Sequence, residues 1–142
     1  MKVAIGCDHA GYPLKVAVED KLLKDGYEII DLGTDSTEPV DYPGYGKAVG
    51  EAVARGLAER GIVICGSGIG ISIAANKVKG VRCALCTSVE MAEMSRRHND
   101  ANVLAMGARM IEQGLAFKIV DRWFETGFEG GKHLRRINML DD

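Results

Sequence analysis

Cys65 and Ser67 stand in the run Cys65-Gly-Ser-Gly-Ile-Gly70, directly after Ile62, Val63 and Ile64. A β-branched run with no polar alternation suits a parallel strand buried on both faces. Gly66, Gly68 and Gly70 let the main chain turn sharply and come close to a ligand. Ile71, Ala74, Ala75 and Val78 then recur at i, i+3, i+4 and i+7, the inward stripe of a helix. The thiol therefore sits where strand gives way to helix, and the helix N-terminus favours negative charge on sulfur. The free amides there suit a phosphate, a carboxylate or a developing oxyanion.

The glycine spacing excludes two nucleotide-binding loops. The third glycine comes one place too early for G-x-G-x-x-G, and no Gly-Lys-Ser/Thr follows, so the loop is not of the P-loop type. The plain alternative is a tight strand-to-helix turn with no ligand, against which Cys65 and Ser67 argue.

The chain has three histidines. His9 follows Asp8, and the pair reads either as a turn or as ligand contacts. His98 precedes Asn99 and Asp100, ordinary turn residues, at a place where it could cap a helix end. His133 lies in Gly130-Gly131-Lys132-His133-Leu134-Arg135-Arg136. If a helix begins after those glycines, Lys132 and Arg136 share a face four residues apart. Cations crowded at a helix N-terminus are relieved by an anion, and with Arg109 and the glycine loop they point to phosphate rather than to a solvated basic turn. No His-x-x-x-His or clustered His–carboxylate spacing is present, so no metal and no cofactor are predicted. Cys83-Ala-Leu-Cys86 has C-x-x-C spacing, but a strand puts the two thiols on opposite faces and there is no second pair. These two and Cys7 read as packing residues.

Five alternations of strand and helix position these side chains. The strands are read at Val3 to Cys7, Glu28 to Leu32, Ile62 to Ile64, Val81 to Cys86 and Val103 to Met106. Helices are read on the stripe Leu14, Val18, Leu22 with Gly26 at its stop, and on Val49, Ala52, Val53, Gly56 and Leu57. Further helices follow the glycine loop, then run over Val89 to Arg97 and Arg109 to Phe124. Gly33 to Gly44, with Pro39 and Pro43, is a long loop and a candidate functional one. The pattern predicts one α/β domain over residues 1–142: a three-layer α/β/α sandwich around a five-stranded, parallel, Rossmann-like sheet. Ligands of such sheets bind beyond the carboxyl ends of the strands. There Asp8 and His9, Asp41 and Tyr42, and Cys65 and Ser67 converge. The order of the last two strands is not readable.

The sequence is 46% hydrophobic and 27% charged, with a net charge of −2. That describes an ordinary globule with no electrostatic reason to bind nucleic acid or a membrane. With neither a signal-like start nor an apolar run of membrane length, it reads as cytoplasmic.

Taken together, GCDHAG at 6–11, DYP at 41–43, CGSGIGISIAANK at 65–77, RHNDAN at 97–102, GAR at 107–109 and EGGKH at 129–133 resemble the B-type ribose-5-phosphate isomerases, a group that includes galactose- and allose-6-phosphate isomerases. The resemblance implies a cofactor-free aldose–ketose isomerase acting on ribose 5-phosphate and ribulose 5-phosphate through an enediolate. It also implies a homodimer, or a tetramer built from it, with sites shared between subunits. By the same resemblance Cys65 is the proton-transfer base, with Ser67 beside it and Gly66 to Gly70 holding the enediolate. His98 opens the sugar ring, Asp8 and Asn99 contact sugar oxygens, and Tyr42 lies near the ring. His9, Arg109, His133 and Arg136 bind phosphate, with His98, Asn99 and Arg109 coming from the second subunit. Some members carry a glutamate just after the last glycine of the loop and lack the cysteine; here that position is Ile71. Many relatives have arginine where this chain has Lys132, which keeps the charge and loses the bidentate fork. Two other readings stay open: an isomerase of a six-carbon sugar 6-phosphate, and a flavodoxin-like phosphate-binding module without turnover.

Overall fold

The computed structural model describes residues 1–141. Its elements are β1 (Lys2–Cys7), α1 (Tyr12–Lys24), β2 (Glu28–Asp31), α2 (Tyr42–Ala54), β3 (Arg60–Cys65), α3 (Ile69–Asn76), β4 (Cys83–Leu85), α4 (Val89–Asn99), β5 (Val103–Gly107), α5 (Gln113–Glu125) and α6 (Lys132–Leu140). The five strands are all parallel, in the order β2-β1-β3-β5-β4.

Side chains alternate between the two faces of the sheet and build two apolar cores. Val3, Ile5, Cys7, Ile62, Ile64, Leu104 and Met106 join Leu14, Val18 and Leu22 of α1, Ala92 of α4 and Ile119 and Trp123 of α5. On the other face Ala4, Val63, Cys65, Val103 and Ala105 meet Val49 of α2 and Ile71 and Ala75 of α3. Cys86 belongs to the first core and Cys83 packs against the second, the opposite faces predicted from their spacing. The three-layer parallel architecture is the predicted one.

Several boundaries differ from the sequence reading. α2 begins at Tyr42, because Pro43 fits the first helical turn, where its missing N–H is not needed. The long loop therefore ends at Asp41, and Tyr42 lies on the helix. At the other end Gly56 adopts φ +76° just past Arg55 and ends the helix, which leaves Leu57 exposed. The predicted helix at 109–124 starts at Gln113, so Arg109 sits in the turn after β5. β5, buried along its whole length, takes the inner position and the three-residue β4 the edge.

Strand order reverses between β1 and β3, since the chain leaves β1 toward β2 and leaves β3 toward the other half of the sheet. Cys7 pairs with Ile64 there, so the segment after β1 starts beside the segment after β3. A crevice at the carboxyl ends of such a strand pair is where doubly wound sheets bind ligands.

Candidate active site

The crevice is built from four segments. Asp8 follows β1 and is buried; its Oδ1 accepts the Gly11 amide at 3.0 Å, closing the turn into α1. His9 is next, and its Nδ1 accepts the backbone N–H of Val40 at 3.1 Å. In the neutral ring that acceptor leaves the proton on Nε2, so His9 presents a donor while it anchors the loop from β2.

The glycine loop follows β3. Gly68, at φ +78°, is the N-cap of α3, a conformation that suits glycine. Four amides at a helix start have no intrahelical acceptor, here those of Gly68, Ile69, Gly70 and Ile71. The Gly68 N–H donates to Cys65 Sγ at 3.2 Å and the Ile69 N–H to Ser67 Oγ at 3.2 Å. The Gly70 and Ile71 amides have no acceptor among the described residues. The thiol thus lies at the strand end with a backbone donor on sulfur. Burial pushes the Cys7 and Cys86 thiols up to about 11 and the Cys83 thiol up to about 12.

Two side chains cover the loop. A methyl group on Gly70 would lie 2.6 Å from Tyr42 Cζ, so the Tyr42 ring rests on that glycine. A methyl on Gly66 would lie 3.2 Å from Arg109 Nη1. The turn carrying Arg109 is docked by its backbone, with the Ala108 and Arg109 amides donating to Cys65 O and Gly66 O, each at 2.9 Å. The resemblance groups Arg109 with His98 on the second subunit; in this chain the Arg109 guanidinium lies beside Gly66 of its own glycine loop.

His98, Asn99, Lys132, His133 and Arg136 form a second group, away from the first. In a parallel sheet the helix after a strand runs back toward the amino ends, so α4 carries His98 and Asn99 to the opposite end of the sheet from Cys65. The backbone agrees: just past α4, Asn102 O accepts the amide of Gly61, at the start of β3. α6 packs against α4. Buried Arg96 locks the end of α4 by donating to Asp100 Oδ1 and Ala101 O, each at 2.7 Å, and to Thr126 O at 3.3 Å. Among the described residues no hydrogen bond or ion pair joins this group to the Cys65 crevice.

Within the second group the His98 and His133 rings stack at 4.2 Å with 13° between their planes. Both Nε2 atoms face Glu129 Oε1, at 3.8 and 3.7 Å, while Glu129 Oε2 is held by Arg97. The Arg97 bond holds the Glu129 carboxyl below its ordinary value. His133 is held below the ordinary imidazole value by desolvation first, then by its neighbours His98, Lys132 and Arg136, with Glu129 opposing. The helix predicted after the glycines is α6, with Gly131 as N-cap and Lys132 and Arg136 one turn apart. Sequence reasoning missed Glu129, although it precedes His133 by a helical turn, and missed the Val40 amide, which no side chain announces.

Residues 3–140 match the family model for Ribose/Galactose Isomerase. Ribose-5-phosphate isomerase B of Escherichia coli (strain K12) is 48% identical, with 98% of this chain and 93% of that protein aligned. The solved structure of Clostridium thermocellum ribose-5-phosphate isomerase B superposes with a TM-score of 0.99 at 55% identity, covering 99% of this chain and 95% of that one. A Mycoplasma genitalium ribose-5-phosphate isomerase B solved with bound ribulose-5-phosphate matches at a TM-score of 0.95 and 37% identity, over 99% of this chain and 93% of the other. Fold and sequence agree over nearly the whole chain, which belongs to the ribose/galactose isomerase family.

Proposed function

We propose that the protein interconverts D-ribose 5-phosphate and D-ribulose 5-phosphate, an aldose–ketose isomerisation through an enediolate. The carrying observation is the pairing of Cys65 Sγ, which accepts the Gly68 amide, with the first-turn amides of α3 that have no acceptor of their own. Isomerisation needs one base that faces two adjacent carbons, a stabiliser for negative oxygen and an anchor for a small flexible substrate. Cys65 as thiolate takes the proton from C2 of the open aldose and returns it to C1. The negative charge that develops on oxygen is met by the Gly70 and Ile71 amides, preorganised by the helix start. Asp8 orients the sugar hydroxyls and Tyr42 walls the ring side. Ile71, fully buried, offers no carboxylate, which leaves the proton to Cys65.

The site takes its remaining parts from a second copy of the chain. His98 opens the furanose ring and Asn99 binds a sugar oxygen, and both stand at the far end of their own sheet, so they serve the partner's crevice. Phosphate is held by His9 and Arg109 of one chain with Lys132, His133 and Arg136 of the other. Exposed Ile69 and Ile73 on α3, and Leu134, Met139 and Leu140 on α6, supply apolar surface for a homodimer contact. Among the described residues no helix is long and apolar enough to cross a membrane. A phosphorylated sugar does not cross membranes unaided, which supports a reaction in the compartment where such sugars are made, the cytoplasm in this reading.

The test is an assay of purified protein on ribose 5-phosphate, allose 6-phosphate and galactose 6-phosphate, run also in D2O. The reading requires the highest kcat/KM on ribose 5-phosphate and solvent deuterium on the sugar carbon. Preference for a six-carbon phosphate would change the substrate and keep the chemistry. Binding of all three without turnover or exchange would leave a phosphate-binding module.

A further inference from the structure

We propose that Arg82 is a positioning residue of the isomerase site: its guanidinium joins the end of α4 to the end of α6 and so fixes His98 and Asn99 against Lys132, His133 and Arg136. The grip itself rests on geometry; its effect on turnover rests on the roles given to those residues above.

Arg82 stands just before β4, and its backbone is held from both sides. Its N–H donates to Asn102 Oδ1 at 2.7 Å and its carbonyl accepts the Asn102 amide at 3.0 Å. From that base the side chain, 17% exposed, spreads its donors over two helices. Nε donates to Asn99 O and Nη2 to Asp100 O, each at 3.0 Å, at the end of α4. Nη1 donates to Asp141 Oδ2 at 2.7 Å, just past the end of α6. The planar fork suits this work, because its donors keep fixed directions once the stem is anchored.

Each helix needs the hold. The last carbonyls of a helix have no partner within it. At the end of α4, Arg97 O accepts the Glu129 amide at 3.1 Å and Asn99 O accepts Arg82 Nε, so His98 lies between two peptide groups pinned from outside the helix. Asp100 then leaves the helix in the left-handed region, at φ 44°, a costly conformation for a residue with a Cβ. Arg96 holds its carboxylate there and Arg82 its carbonyl. α6 buries only Ile137 of its nine residues, so packing alone fixes its direction weakly. Glu129, bonded to Arg97, holds the approach to the helix, and Asp141, bonded to Arg82, holds its far end. A swing of α6 about Ile137 would carry Lys132 and Arg136 away from the phosphate they are placed to bind.

Arg82→Gln, Arg82→Lys and Asp141→Ala in the full chain test the proposal, with circular dichroism to confirm that each is folded. Amide hydrogen exchange reads the grip without reference to turnover: in Arg82→Gln the Glu129 amide and those of α6 should exchange several-fold faster, with β1 and β3 unchanged. Kinetics read the positioning. Asp141→Ala frees α6 alone, so KM for ribose 5-phosphate should rise by about 2–5-fold, the worth of a partly exposed ion pair, with kcat unchanged. Arg82→Gln frees the end of α4 as well and should lower kcat/KM by about 10–100-fold, with part of the loss in kcat. Arg82→Lys keeps a cation for Asp141 without the fork on the α4 carbonyls, and should recover KM more than kcat. Should Arg82→Gln fail to fold, Asp141→Ala still decides, since it removes one ion pair near the chain's end. Wild-type exchange across α6 in the folded variants overturns the grip, and faster exchange with wild-type kcat and KM overturns the positioning role. A fully active His98→Ala would sink the reading of the second group and the kinetic half of this proposal with it, while exchange would still judge the grip.

Discussion

Of the four cysteines only Cys65 is placed at a helix start with an amide donor on sulfur, the place proposed for the proton-transfer base. Loss of that base in Cys65→Ala should lower kcat by about 10²–10⁴-fold with KM little changed, the pattern of an interaction made in the transition state. Iodoacetamide near pH 8 should label Cys65 first, because burial raises Cys7, Cys83 and Cys86 to about 11 or 12, and substrate should protect it. Most of the activity surviving in the alanine variant, or first labelling elsewhere, would remove Cys65 from the mechanism. The Val40 anchor of His9 and its proposed phosphate contact are separable. Asparagine can accept the Val40 N–H as Nδ1 does but cannot donate from the Nε2 position, whereas glutamine can donate there and loses the loop anchor. His9→Asn should therefore raise KM by about 10–100-fold, the worth of a hydrogen bond to a charged group, with the loop unmoved. His9→Gln should hold KM nearer the wild-type value and expose the Val40 amide to faster hydrogen exchange. The reverse ranking would take the phosphate contact away from His9.

At the scale of elements, the inward stripes of α1 and α3 and the apolar runs of β1 and β3 were readable because periodicity and burial go together. Asp8, His9, Cys65 and Ser67 were readable for the same reason, since each follows a strand whose carboxyl end faces the crevice. Helix starts were less so: Pro43 looks like a loop residue until its place in the first turn is seen. The order of β4 and β5 was hidden because both are short apolar runs and only long-range pairing separates them. That Arg109 lies beside its own chain's glycine loop has no local signal in the sequence. The contact between α1 and β2 carries a pH dependence that periodicity does not reveal. Buried Lys15 bonds both oxygens of Asp31, at 2.6 and 2.7 Å, and Glu19 Oε1 lies 3.7 Å from the same ammonium with no hydrogen-bond partner. Burial first, then the Asp31 carboxylate, raise Glu19 to about 7. A raised carboxyl contributes stability below its unfolded value of 4.5 and loses it as pH rises through about 7. Glu19→Gln, fixed in the neutral form, should match wild type in thermal unfolding near pH 5 and exceed it by a few degrees at pH 8. A variant less stable at both pH values would show that Glu19 works as an anion.

At the scale of the molecule, one chain holds two groups of candidate residues at opposite ends of a parallel sheet, and the proposed two-fold dimer would join them twice. In that proposed dimer each site would take Cys65 and Arg109 from one protomer and His98, Asn99, Lys132, His133 and Arg136 from its partner. The phosphate clamp follows the same division: Arg136→Ala should raise KM more than Lys132→Ala, since a guanidinium bonds two phosphate oxygens and an ammonium is a point charge. An unchanged KM in both variants would leave α6 a solvated helix. The most direct test of the shared site is reassortment between Cys65→Ala and His98→Ala homodimers, each impaired at every site. Unfolded together and refolded in equal amounts, they should regain about one quarter of wild-type activity, because half the dimers are mixed and each mixed dimer has one site free of both lesions. If Cys65 and His98 served within one chain, every site would keep a lesion, and the mixture would be no more active than either variant refolded alone.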